Sequence, residues 1–496
     1  MYRRSRRGLP VPSAAVQRFR SLDADTWARI AFALLCLGFA VGFVVYPTYP
    51  NYDSYYSLLW GREVLDGGLP VFEGFRVPTE HPLAIAVGAV LGLAGDAGDR
   101  LWIALTLMAF LALVAGLYRL GRIAFTPLVG TAAAVLLLSR FDFGFLAARG
   151  YIDIPYMALV VWALVLEIQR PRRGTPVFAL LAAAGLLRVE GWLLAAAYFA
   201  WMSLRATWPQ RAGWAAWAAV GPVGWALVDF VVTGDPLYSI TYTSGFAEDL
   251  GRSRPLGEIP AALPSFFAGL LKLPVLLAAI AGLGAALWLT PRRSVGPLLL
   301  FATGLGTFLA IAAAGASVIE RYLVVAALGL LVFAGVALAG WTMLSPGRLR
   351  RVWASAALAG VLGGGVYTAL NINLERFDRE LTFRGDAHDS LRAVLLAPGV
   401  KEALRCGPLT FPNHKLVPDG RWILDLPYAK VRARAEYVRT EARPPRGGVA
   451  VYATSRQSIF KHAFTDDKDP ATIQVPQDGW TPIARSPHYA AYARTC

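Results

Sequence analysis

Charged residues are scarce in this sequence: Asp, Glu, Lys and Arg make up only 16% of it. Soluble globular proteins carry about 25%. That shortfall, with 56% hydrophobic residues and a mean hydropathy of +0.47, excludes a soluble globular chain and implies a polytopic membrane protein. Acids are scarcer than bases, 33 against 48, for a net charge of +15. The arginines sit in short clusters between apolar runs, which is the pattern of positive-inside orientation signals. That placement excludes a nucleic-acid reading of the charge. Cysteine is nearly absent, with three residues, which excludes a disulfide-dense scaffold. No zinc-ligand spacing, phosphate-binding glycine loop or internal repeat is present.

What is present is a series of apolar runs. Residues 1–29 are polar and basic, and the run at 30–45 lacks a small-residue cleavage site before Tyr46. It therefore reads as a retained first span with a cytoplasmic N-terminus. Residues 51–96 are then the first outer loop. Within it, 54–65 is too polar to span and reads as a helix lying on the membrane surface. The apolar segment 82–94 is short of the roughly 20 residues a span needs, so it reads as a second interfacial or half-inserted helix. Further spans follow at 101–120, 127–138, 156–168, 177–187, 192–202, 214–232, 271–289, 297–314, 322–343 and 352–370.

The runs at 177–187 and 192–202 are both short, and Arg188-Val189-Glu190-Gly191 separates them. One reading is a single long helix with a buried ion pair; the other is two short spans with the pair outside. Arginines at both far ends (Arg170, Arg172, Arg173, then Arg205 and Arg211) favour two spans. By this counting the C-terminus lies outside the cell membrane. The expected divisions are a basic cytoplasmic segment 1–26, a membrane domain 27–370 and an extracytoplasmic domain 371–496.

In that last region Pro, Gly, Asp and Arg become frequent, and strands are expected at 409–412, 422–426, 449–452 and 472–475. About 125 residues suffice for a small α/β domain. His414 and Lys415 read as part of its solvated surface. Cys36 lies in an apolar run and reads as packing. Cys406 and Cys496 are either a disulfide of an oxidising compartment or two free thiols.

Most carboxylates before residue 370 fall on the face that arginine counting places outside. Asp53 follows the first span, Arg149 and Asp153 open the fourth, Arg188 and Glu190 lie between the two short spans, and Glu320 and Arg321 open the tenth. Singly, each reads equally as an interfacial residue. Together they suggest a polar site. The loop 234–262, with Tyr238, Tyr242, Phe246, Glu248 and Asp249, either lines that site or forms an interfacial aromatic belt.

These motifs resemble the GT-C membrane glycosyltransferases, especially relatives of protein O-mannosyltransferases and aminoarabinose transferases. The resemblance rests on Asp53 soon after the first span, the helix after it, and Glu80-His81-Pro82-Leu83 in place of a Lys-Pro-Pro-Leu-like segment. It also rests on Ala-Arg-Gly-Tyr-Ile-Asp-Ile-Pro before the fourth span, the Arg-Val-Glu-Gly turn, and Glu320-Arg321-Tyr322-Leu323. It covers residues 27–345 and implies a GT-C-like fold: about eleven transmembrane helices, juxtamembrane helices in the first outer loop and a small C-terminal α/β domain. One departure is His81, which stands where such enzymes have a lysine.

The resemblance implies transfer of a sugar from a polyprenyl-phosphate donor to an envelope glycan, lipid or protein. A carboxylate can take the acceptor's proton, a role that falls to Asp53, with inversion if the attack is a single displacement. Arginine's planar fork suits the leaving phosphate, so Arg149, Arg188 and Arg321 are donor-phosphate candidates, with His81 beside them. Asp153, Glu190 and Glu248 are candidates to orient the acceptor or to hold Mg²⁺, Mn²⁺ or Ca²⁺, although some relatives need no metal. Tyr55, Glu80 and Glu320 complete the candidate site.

Two other classes compete. A transporter or flippase of a lipid-linked precursor places polar residues near the bilayer midplane on broken helices, and the Arg-Val-Glu-Gly turn admits that reading. Acids gathered on one face favour an outward-facing active site instead. A scaffold for other envelope proteins predicts that the outer charges are individually replaceable.

Overall fold

Inside a bilayer a backbone has no water to bond, and a helix satisfies its polar groups within one segment. Every expected span coincides with a helix. The structure, a computed structural model, describes residues 23–249, 252, 254–315, 317–371, 374–462, 476, 478–494 and 496. Most of the basic N-terminus and the strand expected at 472–475 lie outside the described residues. Among these residues six helices are each long and apolar enough to cross a membrane, or eight if each of two bent helix pairs is one span. The chain divides into two compact units, Met1–Val45 and Tyr46–Cys496. The described part of the first is mainly the apolar helix Ala24–Val45.

In the second unit, helix Val324–Ala339 is apolar on all sides and buried along nearly its whole length, as a bundle-centre helix has to be. Helix Trp208–Thr233 shows how sequence sets the ends: Thr207 and Gln210 form a capping box, and Gly234 stops it with a φ of 81°. Two stretches read as loops are partly helical. Phe141–Ala148 is a helix bent by 65° from Pro127–Leu138, and Tyr238–Asp249 is a helix within the 234–262 loop.

The first outer loop forms both expected helices, Tyr52–Leu65 and Pro82–Gly92. The first does not lie on an exposed surface, however: Ser54 to Gly61 are all buried. Glycines allow this. A Cβ on Gly88 would sit 2.3 Å from the Ser57 carbonyl oxygen, and one on Gly61 would sit 2.2 Å from the Ala89 nitrogen. The two helices therefore touch backbone to backbone, as small residues permit between membrane helices.

The C-terminal region carries a sheet of order β2-β1-β3-β5-β4, formed by β1 (Leu409–Phe411), β2 (Val431–Ala433), β3 (Gly448–Ala453), β4 (Thr481–Arg485) and β5 (Tyr489–Arg494). β1 runs parallel to β2 and β3, and β5 runs antiparallel to β3 and β4. Cys406 and Cys496 are disulfide-bonded. The strand expected at 422–426 is absent. Residues 422–424 end helix Val417–Leu424, which has Pro418 in its first turn and left-handed Asp425 as its stop. Trp422 is fully buried there.

This helix docks on Tyr52–Leu65. Arg421, 1% exposed, pairs with Glu63, Arg62 pairs with Asp425 at 2.8 Å, and the Arg62 guanidinium lies 3.7 Å over the Trp422 ring. The Phe75 N–H donates to the Tyr428 hydroxyl at 2.8 Å. The sheet region is thereby fixed over the first outer loop.

Candidate active site

Asp53 is held by its backbone. Asn51 caps the helix, and its side-chain oxygen accepts from the Asp53 N–H at 2.8 Å. Asn51 in turn donates to the Arg149 carbonyl from its backbone N–H at 2.8 Å and from Nδ2 at 3.2 Å. Ser54 Oγ donates to the Gly150 carbonyl at 2.6 Å, and Trp102 Nε1 donates to the same oxygen at 2.8 Å. Gly150 needs to be glycine: its φ is 70°, and a Cβ would meet the Trp102 ring at 2.8 Å. The loop after the first span is thus stitched to the loop before the fourth.

The Asp53 side chain opens on a cavity of about 450 Å³. Arg149, Tyr151 and Arg321 line it beside Asp53, while Arg384, His414, Lys415 and Asp419 line it from the C-terminal region. No described side chain donates a hydrogen bond to the Asp53 carboxylate. Burial raises its pKa, and the nearby Arg321 charge opposes that rise. Arg149 is 7% exposed, its guanidinium lies 4.2 Å over the Tyr49 ring, and its Nη1 has no hydrogen-bond partner. Arg321 approaches Asp153 at 3.7 Å, and its Nε has no hydrogen-bond partner. A carboxylate facing two incompletely paired guanidinium groups can accept a proton while those groups take up an anion.

Arg188 differs. It bonds Asp153 at 2.9 Å and Glu190 at 2.5 Å, all three side chains being buried. The Arg-Val-Glu-Gly turn does separate two helices, Thr175–Leu187 and Glu190–Ser203, but its ion pair is buried rather than solvated. Arg188 is therefore committed to two carboxylates and does not line the cavity. Asp153 and Glu190 are equally committed, which leaves them a poor ligand set for a divalent cation. Among the described residues, no group of three His, Cys, Asp or Glu side chains is placed to hold a metal ion. Removing Arg188 strands two buried carboxylates. Arg188→Ala is expected to cost about 3 kcal/mol of stability, read as a lower midpoint of thermal unfolding in detergent; an unchanged midpoint would contradict this reading of the cluster.

No protein family and no curated protein matches the sequence. Solved structures do match. ArnT from Cupriavidus metallidurans bound to undecaprenyl phosphate superposes with a TM-score of 0.54 at 14% identity, covering 95% of this chain and 98% of that chain. Its apo state gives 0.51 at 16%, with the same coverage. The Archaeoglobus fulgidus oligosaccharyltransferase in complex with Zn and sulfate gives 0.48 at 13%, covering 90% of this chain and 70% of that one. This chain has the GT-C fold.

Within that GT-C fold, an apolar groove of about 320 Å³ adjoins the ion cluster. Ile152 and Pro155, which flank Asp153, line it with Leu187, which precedes Arg188, and with Leu83, Val87 and Leu105. Its few polar atoms are satisfied elsewhere. Thr106 Oγ1 has the Ile103 and Ala147 carbonyls within reach of its one proton, at 3.0 and 2.9 Å, and Trp102 and Trp162 donate to the Gly150 and Ala112 carbonyls at 2.8 and 2.9 Å. The groove therefore presents only carbon.

The remaining sequence candidates whose side chains are described fall outside the cavity. His81, at the lysine position of the motif, is enclosed beside Trp225 with its Nδ1 unpartnered. Burial, reinforced by Arg188 and Arg321, pushes its pKa down to about 3. It is neutral at physiological pH and so cannot serve as a cation for phosphate. Glu80, 1% exposed, shares the Ser239 hydroxyl with Asp229, which lies 2.7 Å from that oxygen; burial raises the Glu80 pKa to about 8. Tyr55 is fully buried and donates to Asp99 at 3.2 Å. Glu320 packs against Gly269. The Glu248 side chain lies outside the described residues.

Sequence reading missed Arg252, Arg384, His414, Lys415 and Asp419, all of which line the cavity. His414 and Lys415 are half-buried in the cavity wall rather than on an open surface; burial pushes His414 down to about 3 and also lowers Lys415. A usable signal was present. Leu409–Phe411 is a parallel strand, and the turn chemistry of Pro412-Asn413 follows its carboxyl end. Sites in α/β sheets gather beyond such ends.

Proposed function

We propose that this chain is a glycosyltransferase that moves a sugar from a polyprenyl-phosphate donor to an extracytoplasmic acceptor of the cell envelope. One observation carries the reading: Asp53 opens on the same cavity as Arg149 and Arg321, and an apolar groove adjoins the ion cluster behind them. The groove suits an isoprenoid tail, which keeps the donor in the bilayer. Arg149 and Arg321 suit its phosphate.

The acceptor hydroxyl gives its proton to Asp53 as its oxygen bonds to the anomeric carbon. The bond from that carbon to the phosphate oxygen breaks with its electron pair on the phosphate, and the added charge falls to the arginines. A single displacement inverts the anomeric centre. Arginine counting supports a cytoplasmic N-terminus and an outward-facing cavity.

We take these arginines, rather than a divalent cation, as the counter-charge, because Asp153 and Glu190 are already bound to Arg188. The test uses full-length protein in nanodiscs with a radiolabelled sugar on polyprenyl phosphate and a membrane-lipid extract as acceptor source. Transfer is expected, and EDTA is expected to change its rate by less than about twofold. Absence of both transfer and release of the sugar would overturn the enzyme reading in favour of a transporter.

A further inference from the structure

The cavity has two walls of different origin. Asp53, Arg149, Tyr151 and Arg321 come from the loops and helix ends of the N-terminal helical part; Arg384, His414, Lys415 and Asp419 come from the C-terminal region. A polyprenyl-phosphate sugar brings one phosphate, and the wall nearer the apolar groove accounts for it. The opposite wall still carries cations. Arg384 is held at 3.0 Å by Glu380, one turn earlier on helix Leu374–Leu395. Lys415 is placed by Asn413, whose side-chain oxygen accepts the Lys415 backbone N–H at 3.0 Å. Both side chains are therefore on supported backbone rather than on a free loop. Burial, with the neighbouring charges of Arg384 and Arg252, lowers the Lys415 pKa, and a bound anion at the lysine offsets that cost of holding its charge.

We propose that Lys415 and Arg384 form a second anion-binding subsite on the C-terminal wall of this cavity, and that the acceptor is a glycan or lipid carrying a phosphate or carboxylate. This rests on the donor reading above, since it assigns the first anion to Arg149 and Arg321. Asp419, 4% exposed in the same wall, offers a carboxylate to hydroxyls of the same acceptor. The C-terminal region then acts as a selector: it admits acceptors that bring one negative group alongside their nucleophilic hydroxyl.

The test uses full-length protein in nanodiscs saturated with undecaprenyl phosphate and titrated calorimetrically with inorganic phosphate and, separately, with glucuronate. One further equivalent of at least one probe is expected to bind, and the tighter probe identifies the acceptor's anion. Lys415→Ala is expected to weaken that binding by about tenfold or more, while Lys415→Arg restores it to within about threefold, as a charge-assisted contact requires. Affinity for undecaprenyl phosphate is expected to stay unchanged in both. If Lys415→Ala fails to fold, Arg384→Gln provides the same comparison. Exclusion of both probes by bound undecaprenyl phosphate, or wild-type probe affinity in the variants, overturns the second subsite alone. Failure of undecaprenyl phosphate itself to bind overturns the donor reading, and the subsite assignment with it.

Discussion

Asp53→Asn is expected to lower sugar transfer by about 10²–10⁴-fold, the range for loss of a positioned general base. Folding and donor binding are expected to survive. The carboxylate accepts no hydrogen bond from a described side chain, and the cap that orders this helix uses the Asp53 backbone N–H. Asparagine keeps that contact and the size of the side chain. The pH dependence adds a second readout. Burial raises the Asp53 pKa, and a general base acts in its ionised form. Activity should therefore fall, as pH is lowered, at a pH above the ordinary carboxylate value of about 3.9. Asp53→Glu should retain an acid limb, whereas Asp53→Asn should lose it along with the rate. Full activity in Asp53→Asn would remove Asp53 from the mechanism, and an acid limb persisting in its residual rate would point to another base.

The parts of this site that were legible in the sequence share a physical feature. They sit at span ends, where apolar periodicity breaks and a charge stands out. Asp53, Arg149 and Arg321 were found that way, and they meet in one cavity. Arg188 was found by the same signal but misassigned, because sequence does not show that Asp153, 35 positions earlier, bonds it. His81 was misassigned for a related reason: its position in the motif suggested a cation, but burial beside two arginines keeps it neutral. Arg384 lies on helix Leu374–Leu395 and Asp419 on helix Val417–Leu424, while Lys415 reads as part of a solvated polar turn, so nothing local marks any of the three as facing Asp53. Only the docking of helix Val417–Leu424 on Tyr52–Leu65, through Arg421 and Glu63, brings that turn over Asp53. The same docking, added to the close packing against Pro82–Gly92, buries the Tyr52–Leu65 helix, which its polar residues had suggested was exposed.

Arg149→Ala and Arg321→Ala are each expected to reduce transfer by about 10²–10³-fold, comparable to removing one donor from a preorganised anion site. The double variant should lose less than the product of the two single losses, because on the proposed reading both groups act on one phosphate and their effects are not independent. Arg321→Lys should recover only part of the loss: lysine restores the charge but not the planar fork. The deficit should appear in binding of undecaprenyl phosphate and in the transfer rate, because the charge on the phosphate rises as its bond to the sugar breaks. Truncating Arg149 leaves the backbone carbonyl that holds Asn51 in place, so the position of Asp53 is preserved and the loss reports on the guanidinium. The contrast with Arg188 separates two kinds of buried arginine. Arg188 has its carboxylates already, so its removal should appear first as lost stability. Arg149 and Arg321 retain unpartnered nitrogens at the cavity, so theirs should appear first as lost affinity and rate. If Arg149→Ala and Arg321→Ala both left undecaprenyl phosphate affinity and transfer unchanged, the donor phosphate would have to be placed elsewhere in the cavity, and the division of its two walls between donor and acceptor would have to be redrawn.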